Sequence, residues 1–170
     1  TLLPAIQKEA KGTHIDLHTH GMSTYQGLVV VEAMKMGVNG VHTCVPPLAS
    51  GSSHISIFNA MHNAKALGLK HNITNADALK LVLDHIEQLP VKAKLNRIAK
   101  IDGLPVGVPL EYDHGVYSHQ IPGGVISNLR SQLEQLKIGH KLDEVLEEVV
   151  RIIDDLGNPI MITPASQFIV

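Results

Sequence analysis

The sequence predicts an α/β fold in the first part of the chain and a mainly helical fold in the remainder. Between residues 5 and 45 the hydrophobic pattern alternates between helix and strand, the order typical of a parallel sheet with crossover helices. After Pro47 the apolar spacing becomes helical over most of the chain. The 170 residues are 44% apolar and 18% charged, which is enough to bury a core, so we expect a folded chain.

The α/β part contains four predicted elements. They are a helix at 5–11, a strand at 13–18, a helix at 25–36 and a short buried strand at 40–44. Gly12 and Gly37 stand where glycines end helices, and Ser23 or Thr24 could cap the second helix. Two strands do not make a self-sufficient parallel sheet, because such sheets have several strands covered on both faces. We therefore expect further strands beside these two.

The remainder of the chain is predicted to be helical around one irregular stretch. The helices are expected at 56–68, 76–89, 91–101, 125–137 and 141–156, with irregular structure at 103–124 and an extended segment at 160–162. Asn75 can cap the second of these helices. The last helix carries an acidic, solvated face. Its predicted apolar side consists of Val145, Leu146, Val149 and Ile152.

Composition excludes several classes of protein. The formal net charge of −2 and the 3% of aromatic residues argue against nucleic-acid binding through a basic surface or stacked rings. The single cysteine, Cys44, excludes an intrachain disulfide framework and an all-cysteine zinc site, and we interpret it as a packed core thiol. No apolar run reaches the roughly 18–20 residues that span a bilayer. Histidine, with eleven copies, is the outlier.

The most informative local motif is Leu17-His18-Thr19-His20. Residues two apart in a strand point to the same side, so His18 and His20 would project together from the C-terminal end of the strand. Two imidazoles so placed can supply two ligands to a divalent metal, at the end of the strand where α/β folds keep their chemistry. Asp16, which shares that side with His14, could orient a ligand. The sequence offers no obvious third ligand, and chance occurrence in a histidine-rich chain stays the alternative.

A second motif, Glu32-Ala33-Met34-Lys35-Met36, matches the acceptor motif of biotin carrier domains. In those domains the lysine lies on an exposed hairpin turn of a small all-β fold. Here the apolar residues from Val29 to Met34 repeat at helical spacing, and Gly37 closes the element. We therefore interpret Lys35 as an exposed lysine of a helix.

Two loops in the last third of the chain carry polar groups. The turn at Pro122-Gly123-Gly124 could line a site with its polar neighbours. Thr163 precedes Pro164, which favours extended geometry, and its hydroxyl can donate or accept a proton. Thr-Pro also commonly begins a helix, so both interpretations stay open. Six histidines are interpreted as surface or loop residues without a role: His54, His62, His71, His85, His114 and His140.

Taken together, these motifs resemble one family. In chain order they are His18-Thr19-His20, the serine-rich loop 50–53, the segment 120–124 followed by Ser127-Asn128-Leu129, and the segment 163–167. Over nearly its whole length the chain is similar to the carboxyltransferase domain of biotin-dependent enzymes. These include the oxaloacetate decarboxylase α-subunit, the transcarboxylase core subunit and pyruvate carboxylase. Residues 146–157 resemble the decarboxylase and transcarboxylase branch more than the pyruvate carboxylase branch.

The resemblance implies the C-terminal portion of a TIM (β/α)8 barrel followed by a mostly α-helical funnel domain. Residues 1–50 would hold the last strands and helices of the barrel, and residues 51–170 would form the post-barrel region. His18 and His20 would bind a divalent metal at the end of the seventh strand, usually zinc, with manganese or cobalt as alternatives. An aspartate and a carboxylated lysine from earlier strands would complete the ligand set, and we expect both upstream of Thr1.

The implied reaction moves CO2 between carboxybiotin and a 2-oxo acid of the pyruvate or oxaloacetate type. Thr163 would move the proton between biotin and the enol form of the acid, while the metal polarises the carbonyl and stabilises the developing enolate. Gln120, Gly123, Gly124 and Ser166 would bind substrate or biotin. The biotin would reside on a separate carrier domain or subunit. We expect a homodimer within a larger complex, in the cytoplasm or on the cytoplasmic side of a membrane complex.

Two departures from the family's pattern lie beside the motifs. Residues 21–24 replace a Thr-Ser-Gly type run after His-x-His, and His54-Ile55 stands where Gln-Pro is typical. An acceptor other than pyruvate is therefore open. Two rival functions are also open. A metal-dependent aldolase or lyase of the same barrel superfamily would keep His18 and His20 without needing Thr163. A non-catalytic fragment would only bind a partner subunit.

Overall fold

The computed structural model describes residues 2–22, 24–88, 98–101, 104–107 and 114–170. The chain forms two compact units, Thr1–Leu110 and Glu111–Val170. The first unit contains strands and helices, and the described part of the second is helical. The predicted α/β class with a predominance of helix is confirmed, whereas the domain boundary after residue 50 stays a prediction. Within the described residues, no helix combines the length and apolarity needed to cross a membrane.

The first unit is built around a short parallel strand pair. Its elements are α1 (Leu2–Ala10), β1 (Asp16–Leu17), α2 (Gln26–Lys35), β2 (Gly40–Val41), α3 (Ile57–Ala66), α4 (Ala76–Gln88), β3 (Ile98–Ile101) and β4 (Leu104–Gly107). β1 and β2 pair in parallel, with Asp16 opposite Gly40, and α2 is the crossover between them. Buried residues of α2, of α3 and of the loop before α3 form the core: Val30, Ile55 and Ala60, with Leu17, Met34 and Val41 packed against them. This core fixes the ends of β1 and β2 relative to α2 and α3.

The predicted strands are present but shorter than expected. β2 covers two residues rather than 40–44. The His42 N–H still donates to the Leu17 carbonyl of β1 at 2.9 Å, but the Cys44 N–H donates to the Ile55 carbonyl at 2.9 Å, so the pairing with β1 has ended there. His42, expected inside a buried strand, is exposed. At the start of α2 the N-cap position belongs to Tyr25 rather than to Thr24, and Ser23 lies outside the described residues.

Two later helices in the first unit begin at side-chain caps. Ser56 Oγ accepts the Phe58 N–H at 3.2 Å and begins α3. Asn75 Oδ1 accepts the Ala78 N–H at 3.0 Å and begins α4, as predicted. The apolar residues of α4 are not all inside, since Leu81 is 70% exposed.

The predicted helix at 91–101 is wrong at its C-terminal end. Residues 98–101 form β3, which pairs antiparallel with β4, so that Ile101 faces Leu104. β4 also replaces part of the irregular stretch expected at 103–124. The sequence between the strands, Asp102-Gly103, is a dipeptide strongly favoured in two-residue hairpins, a signal that outweighs the apolar spacing. Residues 91–97 lie outside the described part.

The second unit is a small helical cluster. It contains α5 (Gly115–His119), α6 (Gly123–Gln135), a 3-10 turn at Gly139–Lys141, α7 (Leu142–Asp155) and α8 (Ala165–Ile169). The buried apolar residues of this unit are Ile121, Val125, Ile126, Leu129, Leu133, Val149, Ile153 and Met161. The segment 160–162 forms no strand, and Thr163-Pro164 directly precedes α8, which confirms the helix-start interpretation of Thr-Pro.

Candidate metal centre

The loop that follows β1 carries the two predicted metal ligands. β1 ends at Leu17, so the rings of His18 and His20 project from the C-terminal end of the strand. Their Nε2 atoms lie 3.2 Å apart. Two nitrogens bound to one tetrahedral zinc ion, with Zn–N bonds of about 2.0–2.1 Å, lie roughly 3.3 Å apart. The separation therefore suits two ligands of one ion.

A third histidine, His54, joins this pair. It belongs to the loop between β2 and α3, and its ring centroid lies 4.4 Å from that of His18 and 4.9 Å from that of His20. One ring nitrogen of each of the three lies within 4.8 Å of the others. His54, interpreted from the sequence as a surface or loop histidine, does lie in a loop, but it is half-buried beside the predicted ligands. No local pattern marks it, because the loop after β2 returns to the end of β1 only in the folded chain.

Backbone carbonyls determine which ring nitrogens carry protons. His20 Nδ1 lies 2.7 Å from the Ser52 carbonyl oxygen, and His54 Nδ1 lies 2.7 Å from that of Thr19. A carbonyl only accepts, so both Nδ1 atoms carry the proton and donate it. In the neutral rings, Nε2 is then left with a free lone pair, as in histidines that bind metal through Nε2.

His42, at the end of β2, contacts the far side of His18. The two Nδ1 atoms are 2.8 Å apart, so one ring donates to the other. Burial lowers the pKa of His18, and the neighbouring His54, His20 and His42 lower it further, which favours the neutral ring that metals bind. Asp16, predicted to orient a ligand, pairs instead with His14, Nε2 to Oδ1 at 2.8 Å.

The loops that hold the three rings are tied together by Gln26 and Gly21. Gln26 is buried at the start of α2, and its Nε2 donates to the carbonyls of Thr19 at 2.7 Å and Ser53 at 3.4 Å. The Gly21 N–H donates to the same Ser53 carbonyl at 2.7 Å. A Cβ on Gly21 would lie 2.6 Å from Gln26 Oε1 and 2.9 Å from the Gly51 carbonyl oxygen. Only glycine therefore lets the two loops approach this closely.

The other predicted site residues lie in the second unit. Gln120 is exposed in the left-handed conformation at the end of α5, with φ 51°. Gly123 is buried at the start of α6, while Gly124 is exposed with open space where a Cβ would stand. Thr163 is exposed, so its hydroxyl is accessible. Ser166 is fully buried, and its Oγ has no hydrogen-bond partner among the described residues.

Lys35 lies on a helix as predicted, whereas Cys44, expected in the core, is only half-buried. Lys35 is exposed at the end of α2 and pairs with Glu32, Nζ to Oε1 at 2.9 Å. This is the geometry of a surface helix lysine rather than of a hairpin turn. Cys44 is a free thiol, half-buried behind the end of β2.

Comparison with known proteins places this site in context. Residues 116–170 match the family model of the conserved carboxylase domain. The 5S subunit of methylmalonyl-CoA carboxyltransferase from Propionibacterium freudenreichii is 29% identical, over 92% of this chain and 29% of its own length. The large subunit of 2-oxoglutarate carboxylase from Hydrogenobacter thermophilus is 35% identical, over 95% of this chain and 24% of its own. The chain thus spans about a quarter of the length of these two relatives.

Solved structures give the same fold. The carboxyl transferase domain of Rhizobium etli pyruvate carboxylase, with 3-bromopyruvate, superposes with a TM-score of 0.72 at 19% identity, over 99% of this chain and 27% of that one. The complete multifunctional enzyme from the same organism gives 0.69 at 19% identity, over 95% of this chain and 14% of that one. The fold is therefore that of part of a carboxyl transferase domain. Over nearly its whole length the chain is similar to carboxyltransferase subunits and pyruvate carboxylases, and its residues 116–170 match the conserved carboxylase domain.

Proposed function

We propose that the chain forms part of a biotin-dependent carboxyltransferase that moves CO2 between carboxybiotin and a 2-oxo acid of the pyruvate or oxaloacetate type. The observation that carries the proposal is the histidine cluster at the end of β1, found in a chain similar to carboxyltransferase subunits. The relatives are named for carboxyl transfer to or from methylmalonyl-CoA, 2-oxoglutarate and pyruvate, so the acceptor acid is the least determined part.

In this proposal residues 1–50 contribute the last strands and helices of a (β/α)8 barrel, and residues 51–170 belong to the helical funnel domain. The parallel pair β1–β2, with α2 as crossover, has the βαβ arrangement of two consecutive strands of such a barrel. Catalytic groups of these barrels lie at the C-terminal ends of the strands. The position of His18 and His20 directly after β1 fits that rule.

The residues present fit a divalent metal. Imidazoles whose Nδ1 is engaged elsewhere, His20 with the Ser52 carbonyl and His18 with His42, present Nε2 as a donor that suits zinc, and manganese or cobalt are the alternatives. Such an ion would act as a Lewis acid on the carbonyl oxygen of the 2-oxo acid, a contribution of several kcal/mol. His18 and His20 would hold it.

The chain's own acid–base group in the reaction is Thr163. Toward oxaloacetate, the N–C bond of carboxybiotin breaks and a C–C bond forms at the methyl carbon of pyruvate. The proton that leaves this carbon passes through the exposed Thr163 hydroxyl to the ureido nitrogen of biotin, so atoms and charge balance. Gln120, Gly123, Gly124 and Ser166 are proposed to bind the substrate or biotin.

The proposed partners follow from this chemistry. The biotin would arrive on a separate carrier domain or subunit, and Lys35 is not its attachment point, because it lies on a helix. We further propose a homodimer within a larger complex, located in the cytoplasm or on the cytoplasmic side of a membrane complex.

The test is biotin-dependent decarboxylation of oxaloacetate by the purified protein with its accompanying subunits. Replacing Thr163→Ala should lower turnover by about 10²–10⁴-fold, the usual contribution of a proton-transfer group, while Thr163→Ser should keep most of it. Zinc content should not change in either variant. An enzyme that cleaves aldol substrates equally well with Thr163→Ala would be the rival lyase. A wild-type protein without turnover in the complete assembly would support the partner-binding fragment.

A further inference from the structure

We propose that His42 is the outer partner of the metal ligand His18: its ring accepts the His18 Nδ1 proton and so holds His18 Nε2 toward the ion. The inference rests on the metal centre of the proposed function and deepens it, because it assigns a positioning residue that acts only through His18. The observation behind it is the 2.8 Å separation between the two Nδ1 atoms.

The register of the parallel strands brings the two rings together. Leu17 of β1 lies opposite Val41 of β2, so the residues that follow each strand, His18 and His42, are neighbours at the same edge. The His42 N–H donates to the Leu17 carbonyl at 2.9 Å, which fixes the backbone of His42 beside the end of β1. The His42 ring therefore extends from a fixed point next to the ligand.

Metal binding through Nε2 determines the direction of the hydrogen bond between the rings. A neutral imidazole that binds a metal through Nε2 carries its proton on Nδ1, so His18 is the donor. His42 Nδ1 is then the acceptor, and the His42 proton lies on Nε2. The two ring planes are nearly perpendicular, at 85°, with centroids 5.1 Å apart, so the rings meet through these nitrogens and not through stacked faces.

The two predicted ligands thereby have outer partners of the same kind. His20 Nδ1 donates to the Ser52 carbonyl at 2.7 Å, and His18 Nδ1 donates to His42. Such partners fix the tautomer and the ring orientation of metal-bound histidines. The hydrogen bond of His42 is made with the Nδ1 side of His18, whereas the 3.2 Å contact between His18 and His20 is made by Nε2. His42 is therefore placed to orient a ligand rather than to be one.

The test compares His42→Asn with His42→Leu, two variants of nearly equal size. Asparagine Oδ1 is bonded to Cγ, as histidine Nδ1 is, and can accept the His18 proton from the same position, whereas leucine has no acceptor. Zinc affinity of the metal-free protein, with its accompanying subunits, is measured by competition with a chromophoric chelator. We expect His42→Leu to weaken zinc binding by about 10–100-fold, the usual cost of losing an outer partner, and His42→Asn by less than about tenfold. His71→Leu, at an exposed loop histidine, is the matched control and should bind zinc like the wild type.

Solid-state NMR of the zinc-loaded protein with isotopically labelled histidine rings gives a second readout. The ring signals that are missing from His42→Asn identify His42. A His42 ring with its proton on Nε2 would support the inference, and a proton on Nδ1 would overturn it. Unfolding curves of the metal-free variants separate loss of the fold from loss of the acceptor.

The outcomes distinguish this inference from the function on which it rests. Equal losses of affinity in folded His42→Asn and His42→Leu, or no loss in His42→Leu, would overturn the role of His42 while leaving the proposed metal centre intact. A wild-type assembly that binds no zinc would overturn both. The expected affinities in a protein without carboxyl transfer would support this inference and contradict the proposed function.

Discussion

At the scale of single residues, Gly21 shows how closely the candidate metal centre is packed. It lies between buried Gln26 and the backbone of Gly51, and a methyl group there would approach oxygen atoms at 2.6 and 2.9 Å. Gln26 cannot swing away freely, because its amide already bonds to the Thr19 carbonyl, which also accepts the His54 proton. A substitution at Gly21 should therefore shift the positions of the histidines, although it replaces none of them.

We expect Gly21→Ala to lower the free energy of unfolding by about 1–3 kcal/mol, the usual cost of overpacking, and to weaken zinc binding. Gly27→Ala is the matched control, since a Cβ there meets nothing within 4 Å and Gly27 lies inside α2. It should stabilise the protein by no more than about 0.5–1 kcal/mol, the value for a helix interior, because Gly27 is the second residue of α2. Urea unfolding and zinc competition measure both effects. Equal behaviour of the two alanine variants would contradict the packing argument.

At the scale of elements, α7 illustrates what apolar spacing predicts well. The acidic face and the apolar side were both expected, and Val149 is buried as predicted. The second buried residue of α7, however, is Ile153 and not Ile152, which is only half-buried. Spacing defines a stripe along a helix, and only the contacts of α7 with its neighbours decide which residue faces inward.

Ile153→Ala should therefore destabilise the protein by about 2–5 kcal/mol, through lost burial and a cavity. Ile160→Ala removes the same atoms from a side chain that is 76% exposed, and should change stability by less than about 0.5 kcal/mol. Urea unfolding followed by circular dichroism compares the two. A large loss in Ile160→Ala, or none in Ile153→Ala, would show that α7 packs differently.

At the scale of the whole molecule, the parallel pair of β1 and β2 needs further strands beside it, because parallel sheets have several strands covered on both faces. Within the described residues they form a sheet of two strands. Beside them opens a cleft of about 660 Å³ whose lining includes Val41, Ile57 and Met61. A (β/α)8 barrel needs about 250 residues, so the proposed active site requires further strands from the same polypeptide or from another subunit.

The intact mass of the purified protein under denaturing conditions distinguishes these two sources. A mass well above 18.4 kDa would mean that the same polypeptide supplies the strands. A mass of 18.4 kDa with a copurifying subunit would mean that the active site is shared between chains. An 18.4 kDa protein that stays folded and monomeric without a partner would contradict the barrel proposal.

The sequence by itself determined the features that depend on neighbours along the chain. The two-residue period placed His18 and His20 side by side, Asn75 predicted the start of α4, and apolar spacing predicted α7, because each depends on local geometry. Only the tertiary structure decided that His54 and His42 join the cluster. Their positions depend on the crossover through α2, on the parallel register of β1 with β2 and on hydrogen bonds between separate loops. Contacts between residues so far apart in sequence leave no periodic signal, since they form only when the core brings the ends of the two strands together.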